Sequence, residues 1–241
     1  MLDKIQPEHV LYLDIETVPQ VERLSDFSDK MQKLWMRKAE ALSKDHSDPE
    51  KLFERAGIYA EFGKIVCISC GTIYRRGDQR IYRVKSFYGT DEVKLLEDFL
   101  TMLAKFMANP VHRLCAHNGH EFDFPYIARR VLIHGMKLPS ILDIAGAKPW
   151  EIQNYLLDTM QLWKFGDYKH YTSLDLLCNI FNVPTPKDDI DGSQVANVYY
   201  RDGDLGRIAR YCEKDTLAVA QIFLRFKGEA LIDPENFEIA T

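Results

Sequence analysis

Apolar and polar positions along the chain define a short set of elements. The run "VLYLDIETVP", residues 10–19, places Val10, Leu11, Leu13, Ile15 and Val18 around two carboxylates, Asp14 and Glu16. It predicts a strand over about 10–15. Strand residues i and i+2 share a face, so the two acids stand side by side next to a core. Burying even one unpaired charge is costly, so a cation is expected to bring them together. Two further β-like runs follow at 65–74 and 80–88. Leu95, Leu96, Phe99, Leu100, Leu103, Phe106 and Met107 fit a 3.6-residue period and predict a helix over 91–108, ended by Asn109-Pro110. "VHRLCAHNG" predicts a short strand entering an Asn-Gly turn. A helix then runs from near Pro125 to about His134, stopped by Gly135. Thr172 or Ser173 caps a helix over 173–182, and Asp202 or Asp204 caps a long one over roughly 204–227, ended by Gly228.

Between these elements the pattern is weaker. Residues 20–60 form a charged insert in which "SDKMQKLWMRKAEALSKD" reads as helix and "KDHSDPEK" as turn. Residues 138–170 are irregular and aromatic, "NVPTPKDDIDGS" is a loop, and the tail 229–241 is expected to be loosely ordered. No repeat and no linker divides the chain, so 1–241 reads as a single domain. Strands come first, then alternating helix and strand, then a helical C-terminal half. That order predicts an α/β fold, a mixed β-sheet flanked by helices, with a helical insert after the first strand.

Composition narrows the partners. The 241 residues are 46% hydrophobic, enough for a large core, and carry a formal net charge of −5. Long-range attraction to nucleic acid is therefore not built into the chain as a whole, and a polyanion needs a local basic patch or bound metal. There is no signal-peptide pattern and no apolar stretch long enough to cross a membrane, which together with five cysteines predicts a cytoplasmic setting. Cys67 and Cys70 form a C-x-x-C inside a strand-like run, where i and i+3 face opposite ways; they read as buried reduced thiols.

Two more carboxylates stand out by position. Asp123, in "AHNGHEFDFPYIARR", follows a strand and turn at the start of a helix. Asp215, in "RYCEKDTLAVAQIF", lies in a helix one turn after Tyr211, and that face continues through Ala218 and Ile222 toward the core. Singly these residues read as a cap, a paired acid and a packed tyrosine. In combination, D-I-E in the first strand, N-G-x-x-F-D at a strand–helix turn and Y-x-x-x-D in a late helix resemble the three motifs of the DEDD 3′–5′ exonuclease superfamily, Tyr-type, which has a ribonuclease H-like fold. The flanks "LDIETVP", "NGHEFDFPYI" and "YCEKDTLAVAQIFLRF" are most similar to the proofreading exonuclease domain of family B DNA polymerases and to stand-alone bacterial proteins related to it. The likeness spans about residues 10–227.

The resemblance implies two divalent ions, Mg²⁺ or Mn²⁺, held by Asp14, Glu16, Asp123 and Asp215. Four carboxylates without nearby Cys or His ligands suit such hard cations. It implies that Tyr211 orients an attacking water, that Thr17 and Asn118 touch the sugar-phosphate or terminal base, and that Phe122 packs near that base or in the core. Asp158, in "LLDTMQLW", reads as a cap or turn residue and not a fifth ligand, and Asp188, Asp189 and Asp191 read as a solvated loop. Lys164, Lys169, His170, Tyr171, Arg129 and Arg130 are candidates for gripping nucleic acid. The expected substrate is single-stranded DNA, with RNA as the alternative and a silent nucleic-acid-binding protein as the third reading. Any associated polymerase or repair complex is a separate partner. The insert covers the site, mediates dimerisation, or does neither.

Overall fold

The computed structural model describes residues 2–42, 48–167, 171–184 and 189–240. Among the described residues six strands form one sheet: β1 (Val10–Pro19), β2 (Gly63–Arg76), β3 (Gln79–Tyr88), β4 (Arg113–Ala116), β5 (Leu156–Asp158) and β6 (Phe237–Ile239), in the order β5-β4-β1-β2-β3-β6. β1 is antiparallel to β2 and parallel to β4, so the strand carrying Asp14 and Glu16 is central. The α-helices are α1 (Asp29–Leu42), α2 (Pro49–Phe53), α3 (Glu92–Phe106), α4 (Asp123–Ile133), α5 (Pro149–Ile152), α6 (Thr159–Lys164), α7 (Leu174–Phe181), α8 (Val195–Asn197) and α9 (Leu205–Phe226).

Alternation along β1 sorts its side chains between two layers. Leu11, Leu13 and Ile15 pack with Leu96 and Phe99 of α3 and Phe124 and Ile127 of α4. Val10 and Tyr12 face the other way, onto Val219, Ala220 and Phe223 of α9. A strand buried on both faces is nearly all apolar, which makes its two acids conspicuous. The insert builds its own small core, where Trp35 of α1 meets Phe53 and Phe62 at ring separations of 5.4 and 5.1 Å.

The structure corrects several expectations. β1 runs on to Pro19 because Gly63–Ile65 pair with Thr17–Pro19. The two carboxylates break the apolar run in sequence but not in backbone pairing. Part of "KDHSDPEK" is helical: the Asp48 side chain accepts from the Glu50 amide and Pro49 opens α2. α4 begins at Asp123, with Pro125 in its first turn, where a missing amide hydrogen does no harm. The tail is ordered as β6, pairing in parallel with β3, and Glu238 accepts from Tyr74 at 2.8 Å and Arg83 at 3.0 Å. Three residues are too few to show a period, and their partners lie some 150 residues away in the chain.

Arg130 is not available to nucleic acid. It is 3% exposed and forms a bidentate pair with Glu92, 2.9 and 2.5 Å, while a third nitrogen donates to the Ala60 carbonyl at 2.7 Å. Glu92 also accepts from the Ile65 amide at 2.7 Å. This buried pair ties α3 and α4 to the start of β2, across from Thr17. Arg129, one residue earlier, is exposed. Arg130→Ala strips both guanidinium bonds from buried Glu92, leaving it the Ile65 amide and His134 Nε2, each at 2.7 Å, and is expected to cost about 3 kcal/mol in urea unfolding, whereas Arg129→Ala stays within about 0.5 kcal/mol.

Candidate active site

Asp14 and Glu16 occupy the α9 side of β1, continuing the face of Val10 and Tyr12. Glu16 is 7% exposed and Asp14 partly exposed. A bulge follows: Glu16 lies opposite Cys67 but Thr17 opposite Ile65, leaving Val66 as the extra residue. Val66 and Cys67 therefore both reach the cluster around Tyr211 and Cys212 of α9. The bulge bends β2 beside the acids and lets the helix close over them.

α9 begins where Asp204 accepts from the Arg207 amide, fixing its first turn. Tyr211 and Asp215 lie one turn apart, each 8% exposed, above Ala218 and Ile222. Asp123 enters from the opposite direction, at the first position of α4, and is 2% exposed.

The turn that delivers Asp123 is clamped by Asp158. This fully buried carboxylate accepts from the Asn118 and His120 amides at 3.0 and 3.1 Å and from the Met160 amide at 2.9 Å. It caps α6, as its sequence setting suggests, and also holds the turn after β4. Asn118 takes a left-handed φ of 61°, which asparagine tolerates better than most residues. A Cβ on Gly119 would lie 2.6 Å from the Ala116 Cβ and 2.8 Å from the Phe124 ring, so this turn needs glycine for close approach. His117 adds a second clamp, bonding Thr159 Oγ1 and the Thr172 carbonyl, both at 2.9 Å.

The carboxylates act on one another. Burial raises the affinity of Asp14 for its proton, and Asp215, Glu16 and Asp123 raise it further. Burial and then Asp215 do the same for Glu16. Asp123 is pushed up to about 8, chiefly by burial, with Asp158 and Asp215 contributing. The Tyr211 hydroxyl is raised far above its ordinary value by burial and by Asp215, Glu16 and Asp14, and it hydrogen-bonds Asp215. It is a proton donor at every working pH. Asp123 Oδ1 is buried and has no hydrogen-bond partner. Oxygen donors whose charges raise one another's proton affinity, with Asp123 Oδ1 orphaned, are the donor set of a hard divalent cation. The residues present therefore fit the ions implied by the sequence resemblance.

Cys212 is a residue the sequence reading missed. Its sulfur donates to the Asp14 backbone carbonyl and to Asp14 Oδ2, both at 3.3 Å. Ligand atoms of Asp14, Glu16 and Cys212 lie within 4.8 Å of one another. The expectation of a site without a nearby Cys is thus corrected; the signal was present in "YCEKD", where Cys212 precedes Asp215 by three residues on one helical face.

The remaining expected residues fall in three groups. Thr17 is partly exposed just past the bulge, and Asn118 stands at the clamped turn with its buried Oδ1 unpartnered. Phe122 packs into the apolar layer, 5.4 Å from the Tyr126 ring. Tyr171 is 65% exposed and Lys164 partly exposed, while Lys169 and His170 lie outside the described residues. Asp189 pairs with Arg207 at 2.7 Å and Asp191 caps its own turn through Ser193, so neither joins the acid cluster; Asp188 lies outside the described residues.

A mixed sheet flanked by helices, with acids converging on its central strand, defines the class: a ribonuclease H-like domain of the polymerase-exonuclease kind. The profile of a family described as "Predicted 3'-5' exonuclease related to the exonuclease domain of PolB" matches residues 58–239, and the chain belongs to that family. The matched span holds Asp123, Tyr211 and Asp215; Asp14 and Glu16 precede it and are joined to it by the sheet. Among solved structures, the family B DNA polymerase of the hyperthermophilic archaeon Pyrobaculum calidifontis superposes with a TM-score of 0.53 at 17% identity, over 92% of this chain and 24% of that one. This chain thus spans about a quarter of that polymerase. Comparison with curated proteins finds no match.

The raised proton affinity of Asp123 sets a sign for stability. The folded chain keeps a proton up to about pH 8 that the unfolded chain releases near pH 4, so metal-free stability falls as pH rises through that window. Asp123→Asn is expected to raise the metal-free Tm at pH 8, by roughly 2–8 °C for about 1–2 kcal/mol relieved, and to shrink the Tm gain on adding Mg²⁺ or Mn²⁺. Calorimetry in EDTA and in each metal checks both.

Proposed function

We propose that this protein removes nucleotides from the 3′ end of single-stranded DNA by two-metal-ion phosphodiester hydrolysis. The observation that carries the reading is the meeting of Asp14 and Glu16 with Asp123 and Asp215, whose charges raise the proton affinity of Asp14, beside Tyr211, which hydrogen-bonds Asp215 and holds its own proton tightly. Asp14, Glu16, Asp123 and Asp215 would hold Mg²⁺ or Mn²⁺, and ions held there supply positive charge to the phosphoryl transition state and acidify water.

The chain's own groups do the rest. Tyr211 keeps its proton and so orients a water through its hydroxyl and its bond to Asp215; it is no general base. Asn118 Oδ1 is an acceptor seeking a donor, which a phosphate lacks at neutral pH. It suits a sugar hydroxyl or a base N–H. Asp158 keeps Asn118 and Asp123 in register without touching the reacting atoms. Phe122 supports the turn from within the core. Exposed Tyr171, with Lys164 and Arg129, is the surface on which a strand would lie. Among the described residues no helix is long and apolar enough to cross a membrane, and the buried free cysteines support a reducing, cytoplasmic setting. A polymerase or repair complex would act as a separate partner.

The assay is degradation of 5′-labelled single-stranded DNA, duplex DNA and RNA in Mg²⁺, Mn²⁺ or EDTA. A ladder shortening from the 3′ end of single-stranded DNA, abolished by EDTA, is expected; faster loss of RNA contradicts the substrate, and no cleavage in either metal contradicts the activity. Asp14→Ala is expected to abolish cleavage. Tyr211→Phe is expected to lower kcat about 10²–10⁴-fold while Mn²⁺ affinity is kept, and unchanged turnover contradicts the role of its hydroxyl.

A further inference from the structure

We propose that Cys212 gives this site a second metal selectivity: its sulfur is a ligand for a thiophilic divalent ion of the zinc class, which docks between Asp14 and Glu16 and blocks the hydrolytic ions. The inference rests on reading the four carboxylates as a cation site and adds to it a donor of different chemistry.

Three observations meet here. Cys212 Sγ lies 3.3 Å from Asp14 Oδ2, and donor atoms of Asp14, Glu16 and Cys212 fall within 4.8 Å of one another. A zinc ion at about 2.3 Å from sulfur and 2.1 Å from oxygen spans ligands up to about 4.4 Å apart, so small side-chain rotations close the set. Second, Asp123 Oδ1, 2% exposed and without a partner, belongs to the same group of mutually repelling acids. It stands outside the set of Asp14, Glu16 and Cys212, whose donor atoms lie within 4.8 Å of one another, and adds negative field beside it. Third, a second thiol flanks the first: Cys67 lies directly across the strand from Glu16 and packs in the cluster that holds Cys212.

Softness separates the two classes of ion. Mg²⁺ and Mn²⁺ take oxygen and leave a protonated thiol where it is, donating to Asp14. Zn²⁺, Cd²⁺ and Co²⁺ bind thiolate strongly enough to displace its proton. The step balances simply: the S–H bond breaks, the sulfur lone pair forms the metal–sulfur bond, and the proton passes to buffer. Asp14 then loses the donor that fixes its side chain and shares the incoming ion instead. Such an ion occupies the ligands the hydrolytic pair needs.

The test uses the full chain with CoCl₂, CdCl₂ and MnCl₂ as separate probes. Titration of wild type with Co²⁺ is expected to produce a sulfur-to-cobalt charge-transfer absorption. Cys212→Ser is expected to lose that band and to bind Cd²⁺ on the order of tenfold or more weakly by calorimetry, with Mn²⁺ affinity little changed. Cys70→Ala, on the opposite face of β2, keeps the band. Zinc inhibition of cleavage in Mg²⁺ is expected to weaken in Cys212→Ser by the same factor. Co²⁺ bound to wild type without the band, or Cd²⁺ affinity unchanged in Cys212→Ser, overturns the proposal whether or not other variants fold. Mn²⁺ failing to bind wild type at all overturns the carboxylate reading itself, so the two failures are distinguishable.

Discussion

Like-charge repulsion among buried acids is the constraint around which this fold is organised. Asp14, Glu16, Asp123 and Asp215 come from one strand and two helices; burial and the charge of Asp215 make Asp14, Glu16 and Asp123 harder to ionise, and Glu16 and Asp123 add to the effect on Asp14. A protein gains nothing in stability from such an arrangement unless a cation completes it. The chain is net negative, so under the proposed function the attraction for a phosphodiester would be local, supplied by ions that the acids would hold.

Holding repelling groups together requires rigid support, and the support is polar as well as apolar. Asp158 spends its oxygens on backbone amides of the turn that carries Asn118 and of the helix it caps. Glu92 and Arg130 lock two helices to the start of β2. The bulge at Val66 lets α9 approach closely enough for Cys212 to reach Asp14. Tyr211 adds a donor whose proton the same negative field retains. Repulsion and orientation therefore have one origin.

Much of this was legible in the sequence because it rests on short-range pattern. The 3.6-residue period of α3, the i,i+4 pairing of Tyr211 with Asp215, and the i,i+2 pairing of Asp14 with Glu16 are local. The family membership and the mixed sheet follow the order of the motifs, and the match from residue 58 onward agrees with them. What escaped depends on partners distant in sequence. Arg130 reads as one of two exposed basic residues until Glu92, 38 positions earlier, arrives beside it. Three residues at 237–239 look like tail until β3 offers an edge. Asp158 is recognisable as a cap, but its amide partners 38 and 40 positions away are not. Cys212 lies inside the motif itself, but the usual role of a cysteine on an apolar helix face is packing.

Whether the four acids hold a cation is read from diffraction at the manganese absorption edge in crystals grown with MnCl₂. Anomalous density enclosed by Asp14, Glu16, Asp123 and Asp215 is expected, and its loss in Asp14→Ala. Manganese bound elsewhere on the molecule, with those four carboxylates left empty at saturating metal, would contradict it.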